Sequence, residues 1–337
     1  YINMFFDIIQ SVINYLKLKD QIRCICISTY IYKNAHIYSL ECTPNMNQHT
    51  IECRIFSHLK LLNCEGNTRI YNVNHFGKTL KELYCDGSMI SQEGISLKCL
   101  RTLDCRRCKR IYDVNHLAES LEELYCENSS IDQKGISQLK CLKELCCDDH
   151  EKITNVNHLS LTLEKLHCDG YSGIDQIGIS DLKKIKKIWC AGNPKIYDLS
   201  HLKETLEELY CDNTYIGEAG VDQEGISNLK MLKILSCGCN EKITNVNHLA
   251  DTLEILYCND QCGINQCGIS DLRKLKMLYC ANNNNIKNVN HLAKTLDHLD
   301  CSGECGIDRK GIYQLEHLNT LDCSNNNKIF DPMCEQC

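Results

Sequence analysis

The stretch HLAESLEELYC, residues 116–126, carries a histidine at one end and a cysteine at the other. In a single copy that pairing would point to metal ligands or an activated nucleophile. The same frame returns as HFGKTLKELYC (75–85), HLSLTLEKLHC (158–168), HLKETLEELYC (201–211), HLADTLEILYC (248–258) and HLAKTLDHLDC (291–301). Between these copies stands a second type, as in GISQLKCLKELCC (135–147), GISNLKMLKILSC (225–237) and GISDLRKLKMLYC (268–280). The two types alternate, so the pairing belongs to an internal repeat and is read at that level first.

Both types reduce to L-x-x-L-x-C, followed in the better copies by x-x-N-x-x-I. The cysteine at the sixth position recurs fourteen times, at Cys42, Cys64, Cys85, Cys105, Cys126, Cys147, Cys168, Cys190, Cys211, Cys237, Cys258, Cys280, Cys301 and Cys323. Subtracting neighbours gives spacings of 20 to 22 residues, except for 26 between Cys211 and Cys237. This pattern resembles the leucine-rich repeat, with Cys replacing the last Leu of L-x-x-L-x-L-x-x-N, from about Ile37 to the C-terminus. The resemblance implies an α/β solenoid: a leucine-rich repeat arc of about fourteen short parallel strands with short convex turns, preceded by a small helical N-terminal unit. The expected division is residues 1–35 for that unit and 36–337 for the solenoid.

The 337 residues are 43% hydrophobic, enough for a large core, and the formal net charge is -7. That balance gives no electrostatic footprint for nucleic acid or anionic membrane. No apolar run approaches the ~20 residues of a membrane span. The opening residues, YINMFFDIIQ, lack the basic start and cleavage site of a signal peptide. Of 27 cysteines, about half occupy the single repeat position that normally holds a buried aliphatic side chain. A Cys there behaves as a small hydrophobe. Ladder cysteines on parallel strands ~4.8 Å apart point the same way rather than toward each other, so the expectation is reduced core thiols in a cytoplasmic chain.

Alternation within L-x-x-L-x-C turns Leu, Leu and Cys inward on a short strand. The following Asn, at Asn45, Asn67, Asn193, Asn240, Asn283 and Asn326, is expected to bend inward and bond neighbouring backbone. Ser88, Ser129, Thr214 or Glu304 stands there in other copies. About ten residues remain for the return path, which predicts short helical or 3₁₀ turns. The histidines His75, His116, His158, His201, His248 and His291 recur on every second repeat, ~10 Å apart. Metal ligands lie ~2 Å from their ion, so neighbours in this column cannot share one. Each is read as a half-buried ring bonded to backbone at a turn. Cys334 and Cys337 form one C-x-x-C, half of a zinc site, and Cys262, Cys267 and Cys305 fall in neighbouring turns. No metal and no cofactor are expected from them.

Residues just before the ladder cysteines face outward, and the centre of that strip is aromatic: Tyr84, Tyr125, His167, Trp189, Tyr210, Tyr257 and Tyr279. Glu82, Glu123 and Glu208 stand two positions earlier, with Asp86, Glu127, Asp169 and Asp212 just beyond the cysteines. Ile234, Ile255 and Met277 later replace the acids. The expected binding face is concave and aromatic, with an acidic border that gives way to apolar residues. The alternative is that these tyrosines only stabilise cross-strand packing. The resemblance favours a protein partner there, with neither nucleic acid nor membrane. The longer repeat carries YIGEAGVDQEG, read as a tolerated loop on the return side.

In the N-terminal segment Phe6, Ile9, Ile13 and Leu16 fall at helical spacing, then a break at residues 18–20, then Ile22 and Ile25 on a second helix. The segment resembles the F-box, with Phe5 and Phe6 in place of its usual Leu-Pro opening. That resemblance implies an adaptor surface of Phe5, Phe6, Ile9, Ile13, Leu16 and Ile22 docking on a Skp-type adaptor of a cullin ubiquitin ligase. The repeats would then hold the substrate. The alternating units are also similar to repeat proteins of giant DNA viruses and amoebae, which implies a host-cytoplasm partner. No nucleophile, base and orienting group are placed together and no phosphate loop follows a strand, so no enzyme is expected. Two readings remain open: a ligase substrate receptor, and a plain repeat scaffold or decoy whose N-terminal helices cap the first repeat.

Overall fold

The structure is a computed structural model that describes residues 9–11, 13–14, 16–25, 35–213 and 220–329. The chain forms two compact units, Tyr1–Lys152 and Ile153–Cys337. In the first, three-residue strands β1 (Ser39–Glu41), β2 (Leu61–Asn63), β3 (Glu82–Tyr84), β4 (Thr102–Asp104), β5 (Glu123–Tyr125) and β6 (Glu144–Cys146) pair in parallel and in chain order. The second holds β7 (Lys165–His167), β8 (Lys187–Trp189), β9 (Glu208–Tyr210), β10 (Ile234–Ser236), β11 (Ile255–Tyr257), β12 (Met277–Tyr279), β13 (His298–Asp300) and β14 (Thr320–Asp322), paired the same way. These are the expected fourteen short parallel strands of a leucine-rich repeat solenoid.

Strands β1 to β13 each bury their central Leu or Ile, and the ladder cysteine follows it into the core: Leu124 and Cys126 are fully buried, as are Leu256 and Cys258, whereas Leu321 of β14 is 41% exposed. The end members Cys42 and Cys323 are partly exposed, and the ladder members are thiols. The thiol also has a polar use. Cys105, Cys126, Cys168, Cys211 and Cys237 direct Sγ at the carbonyl of the outward residue one strand on, at 3.3 to 3.5 Å. Leu could fill the space but could not make that weak bond.

The return paths are 3₁₀ turns of three or four residues and four-residue helices, as the short segment length requires. Two residues beyond the ladder cysteine the backbone turns left-handed, at Gly66, Gly87 and Gly192 or at Asn128, Asn282 and Asn325. In five repeats the inner turn position is an Asn whose amide ties the turn to neighbouring backbone. Asn283 Nδ2 donates to the carbonyls of Cys258 and Ile264 in the preceding repeat, at 2.9 and 3.1 Å, while its Oδ1 accepts the N–H of Asn285. Asn67, Asn193, Asn240 and Asn326 repeat this arrangement. Asn45 is exposed, contrary to expectation. It follows β1, and among the described residues no earlier strand and turn lie behind it to supply the carbonyls. Where the amide is missing, Ser88 and Ser129 accept the N–H two residues on, and Cys108 Sγ reaches the Cys85 carbonyl at 3.0 Å.

The alternation of the two repeat types has a physical basis. The histidines bond the Ile carbonyl of the preceding Gly-type repeat: His116 to Ile95 at 2.8 Å, and His201, His248 and His291 to Ile179, Ile226 and Ile269 at 3.0 Å. His75 makes the longer equivalent to Ile51. On the other side the Gly-type repeat presses its glycine on backbone: a Cβ at Gly225 would collide with the Tyr197 carbonyl. One residue before each of the strands β7 to β13, acid and base also alternate. Lys186 pairs with Glu164, Lys233 with Glu207 and Lys276 with Glu254, at 2.6 to 2.7 Å.

Residues 9–11 and 13–14 are helical, and helix α1 spans Leu18–Ile25. The expected break at 18–20 therefore moves to 16–17. Asp20 sits in the first turn of α1, where an acid suits the helix N-terminus, and pairs with Arg23 in the last turn. Ile13 and Ile25 are buried. Gln10 grips the backbone of His36, its Nε2 donating to the carbonyl and its Oε1 accepting the N–H.

Candidate functional site

The outward strand residues follow directly from the register. In the second unit His167, Trp189 and Tyr210 stand on adjacent strands at paired positions, and their rings stack. His167 and Trp189 centroids lie 3.8 Å apart at 4°, and Trp189 and Tyr210 lie 5.0 Å apart at 2°. Further along, Tyr257 and Tyr279 stack at 4.3 Å and 10°, and His298 leans on Tyr279 at 4.7 Å. All are half-exposed. In-register parallel strands force this geometry, because identical side-chain directions repeat every ~4.8 Å. His298 escaped the sequence reading because it occupies the first strand position, beside Met277, and reaches Tyr279 diagonally.

Glu208 does not form a free border. Its carboxylate binds Lys187 at 2.8 Å, and the Tyr210 hydroxyl lies 3.5 Å away. Burial, followed by the charge of Glu208, raises the Tyr210 phenol. Asp212 accepts from the Ser236 hydroxyl at 2.8 Å and the Gly238 N–H at 2.6 Å, and burial raises its carboxyl above the usual range.

In the first unit the strip is not a continuous stack. Asp104 stands between Tyr84 and Tyr125 in the register. It is buried and bound by Arg106 at 2.6 Å. The Tyr84 hydroxyl donates to Glu82 at 3.2 Å, the Tyr125 hydroxyl to Glu144 at 3.1 Å, and Thr102 to Glu123 at 3.2 Å. Asp86 is buried and held by Arg107. The acids expected as a border here are bonded within the face.

The remaining motifs separate. In the histidine column His75, His116, His201, His248 and His291 are committed to backbone bonds. Cys262 and Cys305 do not cluster with Cys267, which is exposed. Each instead buries its thiol 3.7 Å from the ladder cysteine of the preceding repeat, Cys237 and Cys280 respectively. The one-residue-longer turns after Cys258 and Cys301 place them where Asn stands elsewhere. Donation from those partners is the main cause that lowers Cys262 and Cys305. Cys334 and Cys337, Phe5 and Phe6, and residues 214–219 of the long repeat lie outside the described residues. Ile9, Leu16 and Ile22 are half-exposed and Ile13 is 1% exposed. On the turn side Tyr112 and Tyr197 are more than half exposed, a feature the sequence reading passed over.

No protein-family model and no curated protein matches the chain. Solved structures do. The functional domain of InlJ from Listeria monocytogenes, described as including a cysteine ladder, superposes with a TM-score of 0.52 at 21% identity over 87% of this chain. TLR13 in its complex with the RNA ssRNA13 gives 0.51 at 16% identity over 88%. The fold is the leucine-rich repeat. The chain spans 64% of the InlJ chain and 55% of the TLR13 chain, and at these identities the likeness concerns the fold alone. No helix among the described residues is long and apolar enough to cross a membrane.

Proposed function

We propose that this chain is a non-catalytic module that binds a protein through the open strand face of its second unit. The stacked row His167, Trp189 and Tyr210 carries the reading. Large rings with polar edges, held rigid by their neighbours, lose little entropy on binding and are the residue types that dominate interfaces. The bonded acids around them, with the net charge of -7, oppose a polyphosphate ligand. A cytoplasmic setting, host cytoplasm for a viral chain, is part of this proposal, as is the boundary near residue 35.

Two forms of the reading stand. Half-exposed Ile9, Leu16 and Ile22 favour a ligase receptor whose N-terminal segment meets a Skp-type adaptor. Burial of Ile13 and Ile25 and the Gln10 grip on His36 favour a scaffold whose segment caps the first repeat. Affinity capture tests the shared claim with three baits: the native chain, Trp189→Ala/Tyr279→Ala, and the turn-side Tyr112→Ala/Tyr197→Ala. A protein held by the first and third and lost by the second, then shown to bind directly when purified, supports it. Retention by all three refutes it. A purified Skp-type adaptor titrated against the native chain and Ile9→Asp/Leu16→Asp separates the two forms, since these positions can change without opening the core.

A further inference from the structure

The strand face of the second unit changes character over its last four strands, β11 to β14. On β11 and β12 the outward side chains are Ile255 with Tyr257 and Met277 with Tyr279, paired in register and all half-exposed. On β13 and β14 the row that held the tyrosines continues in register as Asp300 and Asp322, the first half-exposed and the second exposed. The acids nearer β9 are occupied, Glu208 by Lys187 and Asp212 by Ser236 and Gly238. Asp300 and Asp322 each accept through Oδ1 from the serine two residues on. Neither enters an ion pair among the described residues. Bonds from Ser324, helped by nearby His298, hold the Asp322 carboxyl below its usual range, so it is ionised at neutral pH. Two carboxylates one strand apart repel each other, and a cation seated across them would relieve that.

An apolar, aromatic patch thus runs into an anionic one along a line across four strands. Strands are spaced ~4.8 Å apart, and one α-helical turn rises ~5.4 Å. A helix laid along that line therefore sets one side chain on each strand, with a drift of only ~2 Å over the steps from β11 to β14. An extended segment repeats its side chains on one face every ~6.7 Å and falls ~4 Å out of step by the third strand. We propose that β11 to β14 dock an amphipathic α-helix of the partner protein whose contact stripe carries two apolar side chains followed by two basic ones. The apolar pair lies on Ile255, Tyr257, Met277 and Tyr279, and the basic pair on Asp300 and Asp322. This deepens the protein-binding reading above and rests on it. The apolar pair supplies most of the affinity, and the basic pair fixes the orientation and excludes helices that bring acids to the same place.

The probe is a labelled, alanine-based helical peptide with leucine, leucine, arginine and arginine at successive turns of one stripe. Two controls have the same length: one orders that stripe leucine, arginine, leucine, arginine, and the other replaces the arginines by glutamates. Fluorescence anisotropy with the full chain should show saturable binding of the first and about tenfold weaker binding of each control. Met277→Asp should weaken the first peptide by about tenfold or more, with Met277→Gln in its place should the charged variant misfold. Asp300→Asn/Asp322→Asn should weaken it by about fivefold, as two exposed ion pairs would, and should remove the preference for arginine over glutamate. Those asparagines can still accept from Ser302 and Ser324, so the thermal melt should match that of the native chain. Equal binding of the two arginine peptides overturns the proposal, as does binding unchanged in both folded variants. No peptide binding while the capture experiment succeeds overturns the helix site alone. Peptide binding with failed capture leaves the helix site and removes the larger reading.

Discussion

Asn283→Ala measures how much one inner turn bond contributes. The side chain is fully buried and holds three backbone groups: the Cys258 and Ile264 carbonyls and the Asn285 N–H. Truncation leaves all three without a partner. Each orphaned buried group costs about 1–3 kcal/mol. The lower end, about 3 kcal/mol in total, is expected because the turn lies one layer beneath solvent and admits water. Asn283→Cys should cost less, because Cys108 at the equivalent place still reaches a carbonyl. Asn45→Ala is the control: exposed, it should change stability by no more than about 0.5 kcal/mol. Guanidinium unfolding followed by circular dichroism gives the totals. Hydrogen exchange places the loss, since repeat arrays can open in parts. A loss below about 1 kcal/mol for Asn283→Ala, or an equal loss for Asn45→Ala, would refute the reasoning.

Gly225→Ala drives a methyl into the Tyr197 carbonyl and should cost about 1–3 kcal/mol as overpacking does; a neutral thermal melt would show that the two repeat types need no close approach. Burial lowers His75, His201, His248 and His291 against the opposing effect of their backbone bonds. The unfolded chain therefore takes up protons first, and stability should be full above about pH 6.5 and decline as pH falls through the folded values. His201→Gln should lose part of that slope in denaturation at pH 7.5 and 5.5, and an identical slope would contradict the assignment. Breaking Lys233–Glu207 by Lys233→Ala should cost no more than about 1 kcal/mol, since exposed pairs contribute little; a larger loss in urea titration would give the alternating charge column a structural weight denied to it here.

The repeat was legible because the strands share one demand at fixed spacing, a Leu (Ile188 on β8) and then a Cys two residues on. The histidine column could likewise be read from its two-repeat period, and His116 and His201 bond backbone as that reading requires. Asn45 could not be placed by pattern alone, because inward turning depends on carbonyls from a preceding repeat. The helix start at Leu18 was hidden by apolar spacing on both sides of the bend. For the site, sequence listed Trp189 and its neighbours but not their stacking, which arises from strand register. Asp86 looked like a free acid because its partner Arg107 sits in the turn of the next repeat.

The most direct test of the central claim is a pair of binding isotherms for the captured partner. Trp189→Ala/Tyr210→Ala should weaken binding by about 30-fold or more, equivalent to about 2 kcal/mol at an aromatic hot spot, while Tyr112→Ala/Tyr197→Ala stays within about twofold. The opposite ordering, or no loss in the first variant while it remains folded, would contradict the account.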